Sequence, residues 1–354
     1  MKRLTTILLS LCFAALAFAQ AEGPSYYLPQ TALRFTLQIE KTQFTPGELA
    51  DYAKVYFHQG DEILKPRTAY RIINMAMESY GVPDSAKHFT AKVSPKMSIQ
   101  NVYTDNDGML LSVNEEPDMT KNATQVSFAN TEKSGYKAPV LNARDFMSEE
   151  ILSVGSKAKM AQLCAKEIYN IRAARDEITR GQAETLPKDG EQLRLMMASM
   201  DKQEKALSQL FTGVTTCDTT IEVLTICADK EIERYLLFRF SDVFGMCDAD
   251  DLSGAPYYIN IKDLHKTPED TRTEKEKAAQ KDLTGLFVNV PGRAKVSIFA
   301  EEKLWTEKEY AFAQFGRTEN VSSALFNKKV FTTYHINPST GAMTNMKSKE
   351  VDAK

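Results

Sequence analysis

Apolar and polar residues alternate through Leu33-Arg34-Phe35-Thr36-Leu37-Gln38-Ile39-Glu40, the period-two pattern of a strand with one buried face. Thr45-Pro46-Gly47-Glu48 follows with an N-cap hydroxyl, a proline at the first helical position and a glutamate three residues past the cap. It predicts a helix over 46–57 with Tyr52, Val55 and Tyr56 on its apolar side. Further strands are predicted at 69–76, 88–93 and 109–113, the last after the turn cluster Asp105-Asn106-Asp107-Gly108. Residues 20–145 thus read as a β-rich N-terminal domain with one short helix.

The period then changes. Ile151, Met160, Leu163, Cys164, Ile168, Ile171, Ala174 and Ile178 recur at helical steps between Ser148 and about Arg180. Pro187 interrupts, and Asp189 with Gln192 forms a capping box for a second helix bearing Leu193, Met196, Met197, Met200, Leu207 and Leu210 on one side. The pair predicts an antiparallel helical hairpin over 146–210. Methionines at this spacing read as core ahead of an adaptable partner groove.

From residue 211 the period returns to two. Thr215–Ile226 and Arg234–Phe240, separated by Ala228-Asp229-Lys230-Glu231, predict a long hairpin. Residues 263–282 hold 11 charged residues in 20, too few apolar groups to bury, and predict a mobile surface loop with a fraying helix as the alternative. Strands at 285–290 and 294–299 about a Pro291-Gly292 turn, then at 309–315 and 329–336, lead to Asn337-Pro338-Ser339-Thr340-Gly341 and a last short strand. This is a second β-rich domain over 211–346, with a polar tail at 347–354. The predicted fold class is α+β: two β-rich antiparallel domains joined by the helical hairpin.

Residues 1–19 change the compartment. Lys2 and Arg3, an apolar run from Leu4 to Ala17, and Ala17-Phe18-Ala19 have the form of a cleaved signal peptide, with cleavage expected before Gln20. The run is too short for a membrane span, and Leu11 before Cys12 does not suit lipid attachment. Without the leader the formal charge moves from −3 to −5, which offers no basic footprint for nucleic acid or an anionic membrane. No membrane-spanning segment is expected in the mature chain. Cys164, Cys217, Cys227 and Cys247 remain, without C-x-x-C spacing. Cys217 and Cys227 lie too far apart on one extended segment to bridge. Cys217 with Cys247 is the more feasible disulfide.

Several stretches together are distinctive: Ser25-Tyr26-Tyr27-Leu28-Pro29, Thr-Pro-Gly-Glu with Tyr52-Ala53, Gly190-Glu191-Gln192-Leu193 through Leu210-Phe211-Thr212-Gly213, and Asp248-Ala249-Asp250-Asp251-Leu252-Ser253-Gly254. With Pro291-Gly292-Arg293-Ala294, Gln314-Phe315-Gly316-Arg317 and the closing Asn-Pro-Ser-Thr-Gly-Ala-Met, nearly the whole mature chain resembles a family of exported Bacteroidetes proteins classed as a domain of unknown function. The resemblance implies a Gram-negative cell envelope and transfers no catalytic or ligand residue. In that setting Asp84-Ser85-Ala86 and Asp218-Thr219-Thr220 match an O-glycosylation acceptor pattern at Ser85 and Thr219.

The strongest candidate for chemistry is the acidic stretch at 248–254. A calcium loop begun at Asp248 would have oxygen ligands at positions 1, 3 and 5, glycine at 6 and glutamate at 12, but positions 5, 6 and 12 are Leu252, Ser253 and Ile259. An irregular cation site using Asp248 and Asp250, a paired acid and base, and a capped turn remain, and the turn is favoured, with Gly254 at positive φ ahead of a Pro256-Tyr257-Tyr258 strand. Ser134-Gly-Tyr-Lys137 and Ser199-Met-Asp-Lys202 match S-x-x-K without its companion motifs, and no P-loop, G-x-S-x-G or G-x-G-x-x-G occurs. His58, His88, His265 and His335 are scattered.

No catalytic, cofactor-binding or metal residue is therefore assigned. The expected role is that of a non-enzymatic envelope protein, exported to the periplasm or alternatively to the cell surface or medium, that works by protein contacts. The alternative is a glycan- or peptide-binding module in which Trp305, Tyr257, Tyr258 or Tyr310 stacks on the ligand. A third reading is an unrecognised hydrolase, which would be favoured by a pocket bringing a histidine to a serine or carboxylate.

Overall fold

Ser25–Thr45 forms one continuous strand of 21 residues (β1), which at about 3.3 Å per residue spans roughly 70 Å. The computed structural model describes residues 23–91, 98–117, 141–184, 189–279, 286–321 and 323–350. After β1 come helix α1 (Ala53–Phe57), β2 (Arg67–Thr90), β3 (Val102–Thr104) and β4 (Leu110–Val113). Helices α2 (Glu149–Leu152), α3 (Lys157–Thr179) and α4 (Gly190–Thr212) occupy the middle. Then follow β5 (Val214–Cys227), β6 (Ile232–Ser241), β7 (Gly245–Cys247), β8 (Ala255–Asp263), α5 (Glu274–Ala279), β9 (Leu286–Ala300), β10 (Lys303–Val321), β11 (Val330–Ile336) and β12 (Met343–Glu350).

Three antiparallel sheets result, in the orders β2-β1-β5, β10-β9-β8-β6-β7 and β12-β11-β4-β3. The protein is thus β-rich and α+β. β1 passes through every core: Tyr26 and Leu28 pack with Phe287, Phe326 and Tyr334, whereas Leu33 and Phe35 pack with Ile259, Val296 and Phe312. Leu37 and Ile39 meet Phe238 and Phe240, and Phe44 meets Ile168, Leu207 and Phe211 of the helices. The segments 20–145 and 211–346 share sheets, because β5 pairs with β1 and β11 with β4. The boundary expected near residue 145 therefore does not separate two sheet systems.

Several local expectations change for the same reason. β5 and β6 do not form a hairpin with each other; β5 adds to β1, and β6 lies between β7 and β8. Pro291-Gly292 is not a turn but the middle of β9, where Val290 pairs with Arg317 and Gly292 with Phe312, so that Ala313–Gly316 bulges from β10. A proline without an N–H is tolerated opposite a bulge. The bulge needs glycine on both sides: a Cβ on Gly292 would lie 2.2 Å from the Phe315 carbonyl oxygen, and one on Gly316 1.9 Å from that of Val290. Gln314, at its crest, accepts from Thr31 N–H and donates to the carbonyls of Thr31 and Ala228. It supplies to β1 the edge contacts that β5 provides from Ala32 onward.

Thr45-Pro46-Gly47-Glu48 does not cap a helix. Thr45 ends β1, a 3₁₀ turn at Ala50–Tyr52 precedes α1, and neither has a side-chain cap. Gly47 instead lies against the end of α4, where its Cβ would be 2.1 Å from the Leu210 oxygen, and that oxygen accepts from Leu49 N–H at 2.7 Å. The expected helix at 148–180 is broken into α2 and α3. α3 and α4 run antiparallel, with Arg172 and Arg175 both bound to Glu204. The methionine stripe is core only from Met200 onward; Met196 and Met197 are half-buried and Leu193 is exposed. The charged stretch from 263 is tied along β10 by Thr267 donating to the Phe315 carbonyl, Arg317 donating to that of Pro268, and Arg272 paired with Asp270 and Glu319. The first part of the polar tail, to Glu350, belongs to β12.

Asp189 caps α4, accepting from Gln192 N–H at 2.7 Å. Asp189→Ala is expected to cost about 1 kcal/mol. The urea midpoint checks this, and an unchanged midpoint would show that the cap contributes nothing.

Candidate functional site

The acidic stretch is a strap across β6. β7 and β8 both pair with β6, on opposite sides, so residues 248–254 must cross that strand. Arg239 of β6 holds the crossing, donating from Nε to the Ala249 carbonyl (2.8 Å) and from Nη1 to that of Gly254 (3.0 Å). Asp251 accepts from Ser253 N–H at 2.9 Å, and this backbone bond, followed by the serine hydroxyl, holds its carboxyl below the usual range. Asp248, Asp250 and Asp251 are all exposed, and no group of three metal-ligating side chains occurs among the described residues. Gly254 is not at positive φ; a Cβ there would lie 3.0 Å from Cys247 Cβ and Sγ, so a side chain would press on Cys247. The segment is a turn, and its organiser, Arg239, had no sequence signal.

The expected ligand aromatics separate. Tyr310 donates to the Met77 carbonyl at 2.5 Å, and burial raises its hydroxyl pKa to about 12. Tyr257 stacks on Phe238 (4.4 Å between centroids) and meets Trp305 edge-on (5.0 Å). Tyr258, Asn260 and Lys262 alternate to the other face of β8, where Tyr258 and Phe299 are cross-strand partners. There a cleft of about 370 Å³ is lined by Tyr258, Phe299, Asn260, Glu233, Arg234 and Glu302. Arg234 lies over the Tyr258 ring at 5.2 Å, and its N–H donates to Asn260 Oδ1 at 2.7 Å. Arg234 (φ 49°), Glu301 (46°) and Glu302 (74°) hold left-handed backbone conformations that non-glycine residues adopt at a cost.

A second cleft, of about 500 Å³, brings His335 to Glu115. Glu115 Oε2 lies 3.2 Å from His335 Nε2 and accepts from the Thr333 hydroxyl at 2.9 Å; Lys347 Nζ is 3.8 Å from Oε1. This is the histidine–carboxylate pairing that the hydrolase reading asks for. The Thr333 hydroxyl, however, is committed to the carboxylate and does not point a nucleophile at the imidazole. The Thr333 bond, opposed by burial and supported by His335 and Lys347, lowers the Glu115 pKa. A depressed folded pKa contributes stability above the unfolded value, and that stability is lost as pH falls through the folded one. Glu115→Gln is therefore expected to flatten the decline of Tm on acidification below about pH 4.5. Parallel declines for both chains would refute this.

His88 stacks on Tyr27 at 4.5 Å, His58 occupies the left-handed C-cap of α1, and His265 lies 3.1 Å from Asp263 on the surface. All four described cysteines are free, so Cys217 and Cys247 are not bridged: Cys217 sits beside Thr42 on β5 and Cys247 beside Ser253. Ser134 and Lys137 of one S-x-x-K match lie outside the described residues, and Ser199 and Lys202 of the other lie on α4. Ser85 (β2) and Thr219 (β5) are both exposed.

Sequence reasoning missed the edge of the first sheet. Among the described residues the sheet order ends at β5, which pairs with β1 along one side. Thr219–Val223 are five consecutive exposed residues, so both faces of this stretch reach solvent, with Ile221 60 % and Val223 53 % exposed. The signal was present in the run Val-Thr-Thr-Cys-Asp-Thr-Thr-Ile-Glu-Val-Leu-Thr-Ile-Cys, strong in β-forming residues. Its pairing partner was not readable.

Among the described residues no helix is long and apolar enough to cross a membrane. No curated protein and no solved structure matches the chain. The family model described as Domain of unknown function (DUF4831) matches residues 22–344. With nearly all of its length covered by that model, the chain belongs to the DUF4831 family.

Proposed function

We propose that this is an exported Bacteroidetes envelope protein, resident in the periplasm, that works by holding a protein partner and carries out no chemistry of its own. The observation that carries this reading is the run Thr219–Val223 of β5, with Ile221 and Val223 exposed on a strand that, among the described residues, is the last of its sheet. Such an edge recruits other chains unless it is blunted. The groups that resembled catalytic ones support the same reading, since Arg239 and Asp251 hold a strap and Glu115 ties the ends of β4, β11 and β12 together. In-cell crosslinking and mass spectrometry of the tagged protein should recover a stable partner; recovery as a monomer alone would sink the proposal. Ser85 is proposed as an O-glycosylation site, which an intact mass without added hexose would reject; Thr219, inside the exposed run of β5, is left bare on this reading.

A second reading has one specific observation in its favour. The Tyr258–Phe299 cleft combines aromatic faces with the hydrogen-bonding groups of Arg234, Asn260, Glu233 and Glu302, the composition of a saccharide subsite. Its rim is set by Glu301-Glu302, which hold both left-handed positions of the β9–β10 turn, normally given to Asn and Gly. A broad glycan array with no binding would count decisively against it.

A further inference from the structure

We propose that β5 binds an extended segment of a partner protein as an added antiparallel strand, and that this segment alternates apolar with basic residues. The inference rests on the contact role proposed above and names its site and ligand chemistry. Alternate residues of an edge strand direct N–H and C=O groups outward, and only another strand satisfies such a row completely.

The edges of this protein are not equally open. β12, at the end of the third sheet, carries Lys347 and Lys349 along its exposed length, the usual protection of an edge. β5 contains no lysine, arginine, proline or glycine in its 14 residues. Its ends are engaged: Val214 and Thr216 line a cleft beside α4, and Leu224 and Ile226 pack on the core containing Phe35. The open run lies between them.

Side-chain alternation sets the chemistry of the guest strand. Ile221 and Val223 fall on one face, beside Gln38 and Thr36 of β1, and Glu222 falls on the other, beside Leu37. Cross-strand neighbours on a guest would be apolar opposite Ile221 and Val223 and cationic opposite Glu222. A second β5 fits poorly. Paired about Thr220 it would set Asp218 against Glu222, and paired about Ile221 it would supply no cation to either.

The probe is a labelled nine-residue peptide alternating lysine and valine, titrated with the full mature chain and followed by fluorescence anisotropy. Saturable binding is expected. N-methylation of alternate peptide nitrogens, which removes ladder donors, should abolish it in one of the two phases of methylation. Glu222→Lys should weaken the lysine peptide about fivefold and confer binding of the glutamate–valine counterpart. The double variant Ile221→Lys, Val223→Lys should no longer bind the lysine peptide while keeping the wild-type circular dichroism. No saturable binding, equal binding of both methylated phases, or indifference to Glu222→Lys would overturn the proposal. So would concentration-dependent self-association that the double variant abolishes, which would make a second copy the occupant. Crosslinking in cells with the double variant separates the two claims. A partner retained by it leaves the contact role standing and overturns the β5 site, whereas no partner with either chain removes both.

Discussion

Gln314→Leu is expected to lower the stability of the whole protein by several kcal/mol. The Gln314 amide serves three backbone groups: it accepts from Thr31 N–H at 3.0 Å and donates to the carbonyls of Thr31 (2.8 Å) and Ala228 (2.9 Å). Thr31 is fully buried and Ala228 nearly so. Leucine has almost the same volume and no polar atom, so the substitution opens little cavity and leaves the three groups unpaired, at roughly 1–3 kcal/mol each. The Thr31 carbonyl would keep only the Cys227 thiol, 3.8 Å away. A fall in the urea midpoint at unchanged slope is the expected result, and a loss below about 1 kcal/mol would show that water or a shifted bulge replaces the amide.

Phe35→Ala is expected to cost about 3–5 kcal/mol, because Phe35 is completely buried among Ile259, Val296 and Phe312. The more specific expectation concerns its reach. β1 contributes Tyr26 and Leu28 to one cluster, Leu33 and Phe35 to the next, Leu37 and Ile39 to a third and Phe44 to the helical one. Loosening the strand at its centre should lower the amide-exchange protection of β11 and α3 together. Protection of α3 unchanged in the variant would mean that the helices open independently of the spine.

Gln314 falls on one of the stretches that made the sequence distinctive, and the structure gives those stretches a structural meaning. Gln314-Phe315-Gly316-Arg317 and Pro291-Gly292-Arg293-Ala294 are the two sides of one bulge. Tyr26 accepts from Phe287 N–H at 2.7 Å, and Asn289 donates to the carbonyls of Pro29 and Thr340, which docks the Asn-Pro-Ser-Thr-Gly turn onto β1 and β9. The Asp248–Gly254 strap is pinned by Arg239. These are places where backbones approach closely or buried polar groups are satisfied.

The elements were legible because their signals are local. Alternation through Leu33–Glu40, the Asp189 cap and the Asn337–Gly341 turn each depend on neighbours within a few residues, and each stands in the structure as an element of that kind. The Pro291-Gly292 turn and the Thr45 helix cap failed where a distant backbone, that of Phe315 or Leu210, occupies the space that glycine leaves. Of the proposed interaction site, the sequence contained the strand and its β-branched composition, but nothing marked it as an edge.

By itself, then, the sequence determined the β-rich α+β class, the positions of most strands and the two long helices, since backbone propensity and one-sided burial are written at periods of two and 3.6 residues. Only the tertiary structure decided which strands pair, that β1 threads four cores, that His335 meets Glu115, and that β5 ends its sheet among the described residues. Pairing joins residues as far apart as Phe35 and Leu224, and such a contact depends on the geometry of everything between them.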